Sequence, residues 1–254
     1  MNLNKRLFLV IWSAGTLSVL AVLPYAFDLQ KDLLQSAPFS LPVLALLSTL
    51  QSSILLAIAT ALGLNFAKRV GFKLPLLEQF LSRSEKPFEW KEFLRLPIAL
   101  GILTAIVITF GNWLFILAGV VIDAEYISGI PVWKRFLASF YGGIGEEILL
   151  RLFLVSLLVW IFSKITRSQE PLARSGLVWS AIVIAAILFG IGHLPATAAI
   201  TQLTPLVIAR AIVLNGVAGL VLGWLYWKKG FEAAVVAHFT ADIMILIVLP
   251  LVTG

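Results

Sequence analysis

Long apolar runs alternate with short polar stretches along the chain. Seven runs, at about 7–27, 41–66, 96–122, 135–163, 176–194, 205–227 and 232–252, each come near the ~20 residues that a helix needs to cross a ~30 Å hydrocarbon core. The pattern predicts an all-α, polytopic membrane bundle of about seven transmembrane helices, with eight as the alternative, forming a single integral membrane domain over 1–254. No internal repeat or low-complexity segment interrupts it.

The polar stretches carry an orientation signal. Basic residues gather at Lys5 and Arg6, in loop 67–95 (Lys68, Arg69, Lys73, Arg83, Lys86, Lys91, Arg95), in loop 164–175 (Lys164, Arg167, Arg174) and at Lys228 and Lys229. The alternating loops are poor in them: 28–40 has Lys31 only, 195–204 has no charge, and 123–135 sets Lys134 and Arg135 against Asp123 and Glu125. With seven spans, every basic-rich section falls on one side, which predicts a cytoplasmic N-terminus, in the plasma membrane if the source is prokaryotic. Lys5-Arg6 before the run from Leu7 to about Leu23 also has the form of a signal peptide. The run is long for a signal, and no clear small-x-small site follows Pro24, so a retained first helix is expected. Trp133, Trp224 and Trp227 sit near span ends, as interfacial anchors should. Loop 67–95 is the one sizeable cytoplasmic element, and its Leu74-to-Trp90 part mixes apolar and charged residues. It reads equally as an amphipathic surface helix or a solvated connector.

Composition agrees. The chain is 60% hydrophobic and 13% charged, with a mean hydropathy of +1.01, whereas a soluble domain carries roughly a quarter charged residues. The net charge of +6 and pI near 9.7 do not indicate nucleic acid, because the basic residues occupy short loops rather than one face. The expected partners are the lipid bilayer and a membrane-bound substrate. The chain has no cysteine, which excludes disulfides, thiolate catalysis and cysteine metal sites.

Against this background, Glu146-Glu147-Ile-Leu-Leu-Arg151 stands out. An ionised side chain near a bilayer centre costs on the order of 3 kcal/mol on insertion scales, so three within six residues imply a polar interior and a function. On a helix, Glu147 and Arg151 share a face, while Glu146 turns about 100° away. One carboxylate is then structural and the other free for acid–base work. Gly142, Gly143 and Gly145 allow a neighbouring helix to approach closely. The two histidines, His193 and His238, lie in or at the edges of apolar spans. Phe189 lies one turn below His193, and His238 shares a face with Asp242, which could orient it. Gly219 and Gly223 form a small-xxx-small contact in the sixth span, near Asn215 and Gly216. Arg210 in the same span has no partner legible in the sequence.

Four elements now stand in order: Glu146-Glu147-x-x-x-Arg151, Phe189-x-x-x-His193, the Asn215-to-Tyr226 glycine stretch, and His238-x-x-x-Asp242. Together they resemble the CPBP family of intramembrane proteases, which includes the type II CAAX prenyl endopeptidases. The resemblance covers about 135–245, a four-helix catalytic core. It implies a glutamate-type intramembrane endopeptidase that acts on a membrane-associated, prenylated or otherwise lipidated peptide. Glu146 would be the general base for water and His193 its assistant, with His238 and Asp242 at the oxyanion. Glu147, Arg151, Phe189 and Asn215 would support them. The position of Asp242 is often Asn in that family, and an ionised Asp cannot donate a hydrogen bond.

The resemblance implies no cofactor. A zinc site made of Glu146, His193 and His238 is the alternative, although no His-Glu-x-x-His is present. A non-enzymatic scaffold, regulator or proton-coupled transporter is the third reading. Counting depth at ~1.5 Å per residue puts Glu146 and His238 about level and leaves His193 near the outer face. Two arrangements would repair this: a fifth helix that starts in the cytoplasm, or a stretch 195–204 that folds back into the bundle.

Overall fold

The computed structural model describes residues 2–82, 87–121 and 129–253. Arg83, Lys86, Asp123 and Glu125 lie outside the described residues. The described chain is helical, and seven helices are long and apolar enough to cross a membrane. They are Leu3–Leu29, Leu41–Val70, Trp90–Leu117, Val132–Ile165, Ser175–Ala198, Pro205–Lys229 and Phe231–Val252. The protein is an integral, multi-pass membrane protein.

Burial is arranged accordingly. Leu56, Ile148, Leu152, Val155, Val159, Val178 and Ile182 are buried between helices, whereas Leu46, Leu50, Ile54, Leu103, Ile106 and Phe110 face outward. Apolar residues on both sides of a helix are what a lipid solvent requires, and backbone groups are satisfied within each span. The fourth span is the hub, packing on the first, second, fifth, sixth and seventh.

Two features of the fourth span differ from a plain α-helix that starts near 135. It begins at Val132, so Lys134 and Arg135 belong to the membrane helix rather than to the loop. Lys134 Nζ pairs with Asp28 at 2.6 Å. Buried Arg135 donates to the carbonyl of Leu246 at 2.9 Å. Neither is a free topology charge, because each has found a polar partner on another span. The second difference is winding: Tyr141–Glu146 and Ile148–Val155 are π-helical. π-turns inside α-helices cluster at functional sites. The seventh span has a π-turn as well, Met244–Val248, and the Leu246 carbonyl that Arg135 satisfies lies inside it.

The described residues of loop 67–95 before Ser82 pack on the bundle. Phe72 and Leu74 are buried, and a short helix, Pro75–Leu81, is clamped onto the start of the seventh span. The Leu77 N–H donates to Glu232 Oε1 at 2.8 Å, and the Phe231 N–H donates to the Lys73 carbonyl at 3.1 Å. Arg6 Nη1 donates to the Leu81 carbonyl at 3.2 Å. Partial burial raises the Glu78 carboxyl above its ordinary value. Trp90, Lys91, Glu92 and Arg95 are already part of the third span.

Of the expected anchors, Trp227 donates to the Leu172 carbonyl at 3.3 Å and lies under Lys228. Trp133 is exposed. Trp224 is partly buried against the cluster that contains Phe189, Leu222 and Ala237 instead.

Candidate active site

The site forms where the π-helical part of the fourth span meets the seventh span and the end of the fifth. Glu147 is fully buried and Arg151 nearly so. Arg151 Nη1 donates to Glu147 Oε1 at 2.7 Å, and Arg151 Nη2 reaches the Gly219 carbonyl at 3.4 Å. The guanidinium carbon sits 5.1 Å from the centre of the Phe189 ring. A buried charge is tolerated when paired and hydrogen-bonded, and Arg151 meets both conditions from within one helix.

Glu147 has a second role that the sequence did not reveal. The same Oε1 lies 2.7 Å from His238 Nδ1. Glu147 therefore fixes the imidazole of the seventh span, which corrects the expectation that Asp242 orients it. Its Nε2 is 3.7 Å from Glu146 Oε2 and 3.8 Å from Asp242 Oδ1. Both distances are too long for direct hydrogen bonds and leave room for a bridging group. A Cβ on Gly142 would overlap the Asp242 carboxylate and lie 3.3 Å from His238 Nε2, so glycine at this position is what admits the two side chains.

Glu146 points elsewhere, as its rotation from Glu147 requires. With Tyr141, Leu149 and Leu150 of its own span, and Leu188, Phe189, Gly192 and His193 of the fifth, it lines a cleft of about 170 Å³. His193 caps the C-terminal end of Ser175–Gly192, and its Nδ1 lies 2.9 Å from the Phe189 carbonyl. A carbonyl only accepts. Nδ1 therefore carries the proton, and in the neutral ring Nε2 is a lone-pair acceptor. The Phe189 ring centre is 4.6 Å from that of His193 and 5.8 Å from that of His238, so one aromatic side chain packs against both histidines and Arg151.

No buried return loop follows His193. The chain leaves His193 through a short helical turn, Leu194–Ala198, and no residue from 194 to 205 is buried. The structure thus brings Glu146, His193, His238, Asp242, Glu147, Arg151 and Phe189 together. For Asn215 the structure shows a bond within its own helix, its amide donating to the Ala211 carbonyl at 2.8 Å. Arg210 finds Asn112 of the third span at 2.7 Å. Among the described residues, no three His, Cys, Asp or Glu side chains are grouped so as to hold a metal ion, and Glu146, His193 and His238 form no such set.

The geometry can be compared with known proteins. Residues 128–244 match the family model described as type II CAAX prenyl endopeptidase Rce1-like. Over this region the chain is similar to that family. The matched region runs from just before the fourth span into the seventh, and it contains every residue of the site just described. The first three spans lie outside it. No curated protein and no solved structure matches the chain.

Proposed function

We propose that the protein is an intramembrane endopeptidase that hydrolyses a peptide bond with water activated by Glu146. The observation that carries this is the placement of Glu146 on an apolar cleft beside His193 and 3.7 Å from His238 Nε2, next to a carboxylate already neutralised by Arg151. One glutamate builds the site and leaves the other to react.

In the proposed reaction, Glu146 takes a proton from water as the water oxygen bonds to the scissile carbonyl carbon. Neutral His193, with Nδ1–H held by Phe189, offers Nε2 to orient that water. His238 is held through Nδ1 by Glu147, and its protonated Nε2 stabilises the oxyanion. The carbon–nitrogen bond then breaks, and the proton carried by Glu146 goes to the leaving amine. Asp242, if ionised, only accepts; its place 3.8 Å from Nε2 suits it to keep His238 protonated rather than to donate. The substrate we favour is the extended, lipidated C-terminal tail of a membrane-bound peptide. The apolar cleft wall of Leu149, Leu150, Leu188 and Phe189 suits such a chain, and an extended tail needs no unwinding. The same reading places the N-terminus in the cytoplasm, and the protein in the plasma membrane if the source is prokaryotic. It requires no metal.

The test is cleavage of a fluorogenic, prenylated CAAX-type peptide by purified protein in lipid vesicles. Wild type and Glu146→Gln would be compared with and without a zinc chelator. Cleavage that falls at least about 10³-fold in the variant and survives chelation supports the proposal. Unchanged cleavage by Glu146→Gln refutes the base. Loss on chelation transfers the reaction to a metal.

A further inference from the structure

We propose that the hydroxyl of Tyr141 is a catalytic hydrogen-bond donor of this site, supplying to the oxyanion the contact that Asp242 cannot make when ionised. The inference rests on the reaction proposed above and assigns to it a residue outside the four sequence elements.

It follows from an inventory of the cleft. Eight of the described residues line it, and their polar side chains belong to Tyr141, Glu146 and His193. Ionised Glu146 accepts only. The one proton of neutral His193 is committed through Nδ1 to the Phe189 carbonyl, so Nε2 offers a lone pair. Of the three, Tyr141 is the neutral group with a proton to give. Acyl-transfer sites generally present more than one donor to the developing oxyanion. His238 provides one from the seventh span, and the cleft wall must provide the next.

The placement of the ring supports the assignment. A Cβ on Gly145 would lie 2.7 Å from Tyr141 Cδ2 and 2.8 Å from Cε2. Cε2 is bonded to the carbon that bears the hydroxyl. One edge of the ring therefore lies over Gly145, and the side chain lines the same cleft as Glu146. The π-helical winding of Tyr141–Glu146 spreads the five steps from 141 to 146 over little more than one turn, and both side chains line one cleft. Glycine at 145 makes the seat, because any side chain there would displace the ring. The ring is partly buried against the hydrophobic core, which limits its freedom, as a preorganised donor requires.

Tyr141→Phe tests the idea, since it keeps the ring and removes only the hydroxyl. In the vesicle assay with the prenylated peptide, kcat is expected to fall about 10²-fold, with KM within about twofold and the thermal unfolding temperature unchanged. Incorporation of a fluorotyrosine at 141, which makes the hydroxyl a stronger donor, is expected to raise kcat, an effect that ring packing alone would not produce; a kcat that stays at the wild-type value speaks against the donor role. A Tyr141→Phe protein that cleaves at wild-type kcat overturns the assignment, as does one whose loss lies wholly in KM. Glu146→Gln run in parallel separates the two claims. Cleavage lost in Glu146→Gln but intact in Tyr141→Phe retains the base and rejects the tyrosine; cleavage intact in Glu146→Gln rejects the base whatever Tyr141→Phe shows.

Discussion

Two helix contacts in this bundle use the same device for opposite ends. Between the fifth and sixth spans, Gly219 and Gly223 press against Ala186 and Ile182, close enough that a Cβ on Gly223 would come within 2.6 Å of Ile182 Cγ2. The seam is apolar, and the small residues serve backbone approach and dispersion, the usual source of affinity between helices in lipid. Between the fourth and seventh spans, Gly142 and Gly143 also bring two helices together, but what faces them is Asp242, His238 and Phe239. Here the volume that glycine releases is filled with ionisable groups. Small residues in a membrane helix thus create closeness, and the chemistry of the facing span decides whether the closeness becomes adhesion or a reactive site. Arg151 touches both seams, bonding Glu147 on one side and the Gly219 carbonyl on the other.

The difference can be broken most forcefully at that shared arginine. Arg151→Met leaves Glu147 charged, fully buried and without its guanidinium, which destabilises by about 3–5 kcal/mol. The expected outcome is loss of cooperative thermal unfolding in detergent, and adding Glu147→Gln should restore most of the stability while activity stays lost, because His238 has then lost its carboxylate. If Arg151→Met alone unfolds like the wild type, the pair is not structural. A smaller effect separates the seams. Gly142→Ala drives a methyl group into Asp242 and His238, and displacement of reacting groups on the ångström scale is worth about 10²-fold in kcat/KM, with little change in melting. The same substitution at Gly223 should do the reverse, since Ile182 is fully buried and has to shift. A loss of about 1–3 kcal/mol in stability, with activity retained below the melting transition, is expected from unfolding curves and peptide cleavage. Equal behaviour of the two alanine variants would dissolve the distinction.

The sequence shows these regions unequally. The seven spans were legible because bilayer thickness sets their length and apolar character. The Glu147–Arg151 pair and the shared face of His238 and Asp242 were legible because neighbours four residues apart on a helix meet whatever the tertiary fold. The bond from Glu147 to His238 was not, since it joins residues 91 apart in sequence and depends on which spans become neighbours. Arg210 with Asn112 was hidden for the same reason. Tyr141, to which we assign a role only by proposal, drew no attention in the sequence because an aromatic residue within an apolar run is ordinarily core or anchor. The available clue was Gly142-Gly143-x-Gly145, read only as helix contact, whose last glycine seats the ring. The π-helical winding has no local sequence rule to announce it. The placement of Lys134 and Arg135 in a loop failed because charge argues for water only until a partner such as Asp28 or the Leu246 carbonyl is in reach.

Glu147 and Arg151 neutralise each other within a single helix, and this bears on how the protein is made. During biogenesis the fourth span reaches the bilayer before the seventh has been synthesised. An acid whose counter-ion lay on the seventh span would have to wait in lipid as a bare charge. With its counter-ion one helical turn away, Glu147 can partition into the membrane already matched. His238 arrives later and docks on the carboxylate that Arg151 holds in place. The order of synthesis and the order of electrostatic assembly are then the same.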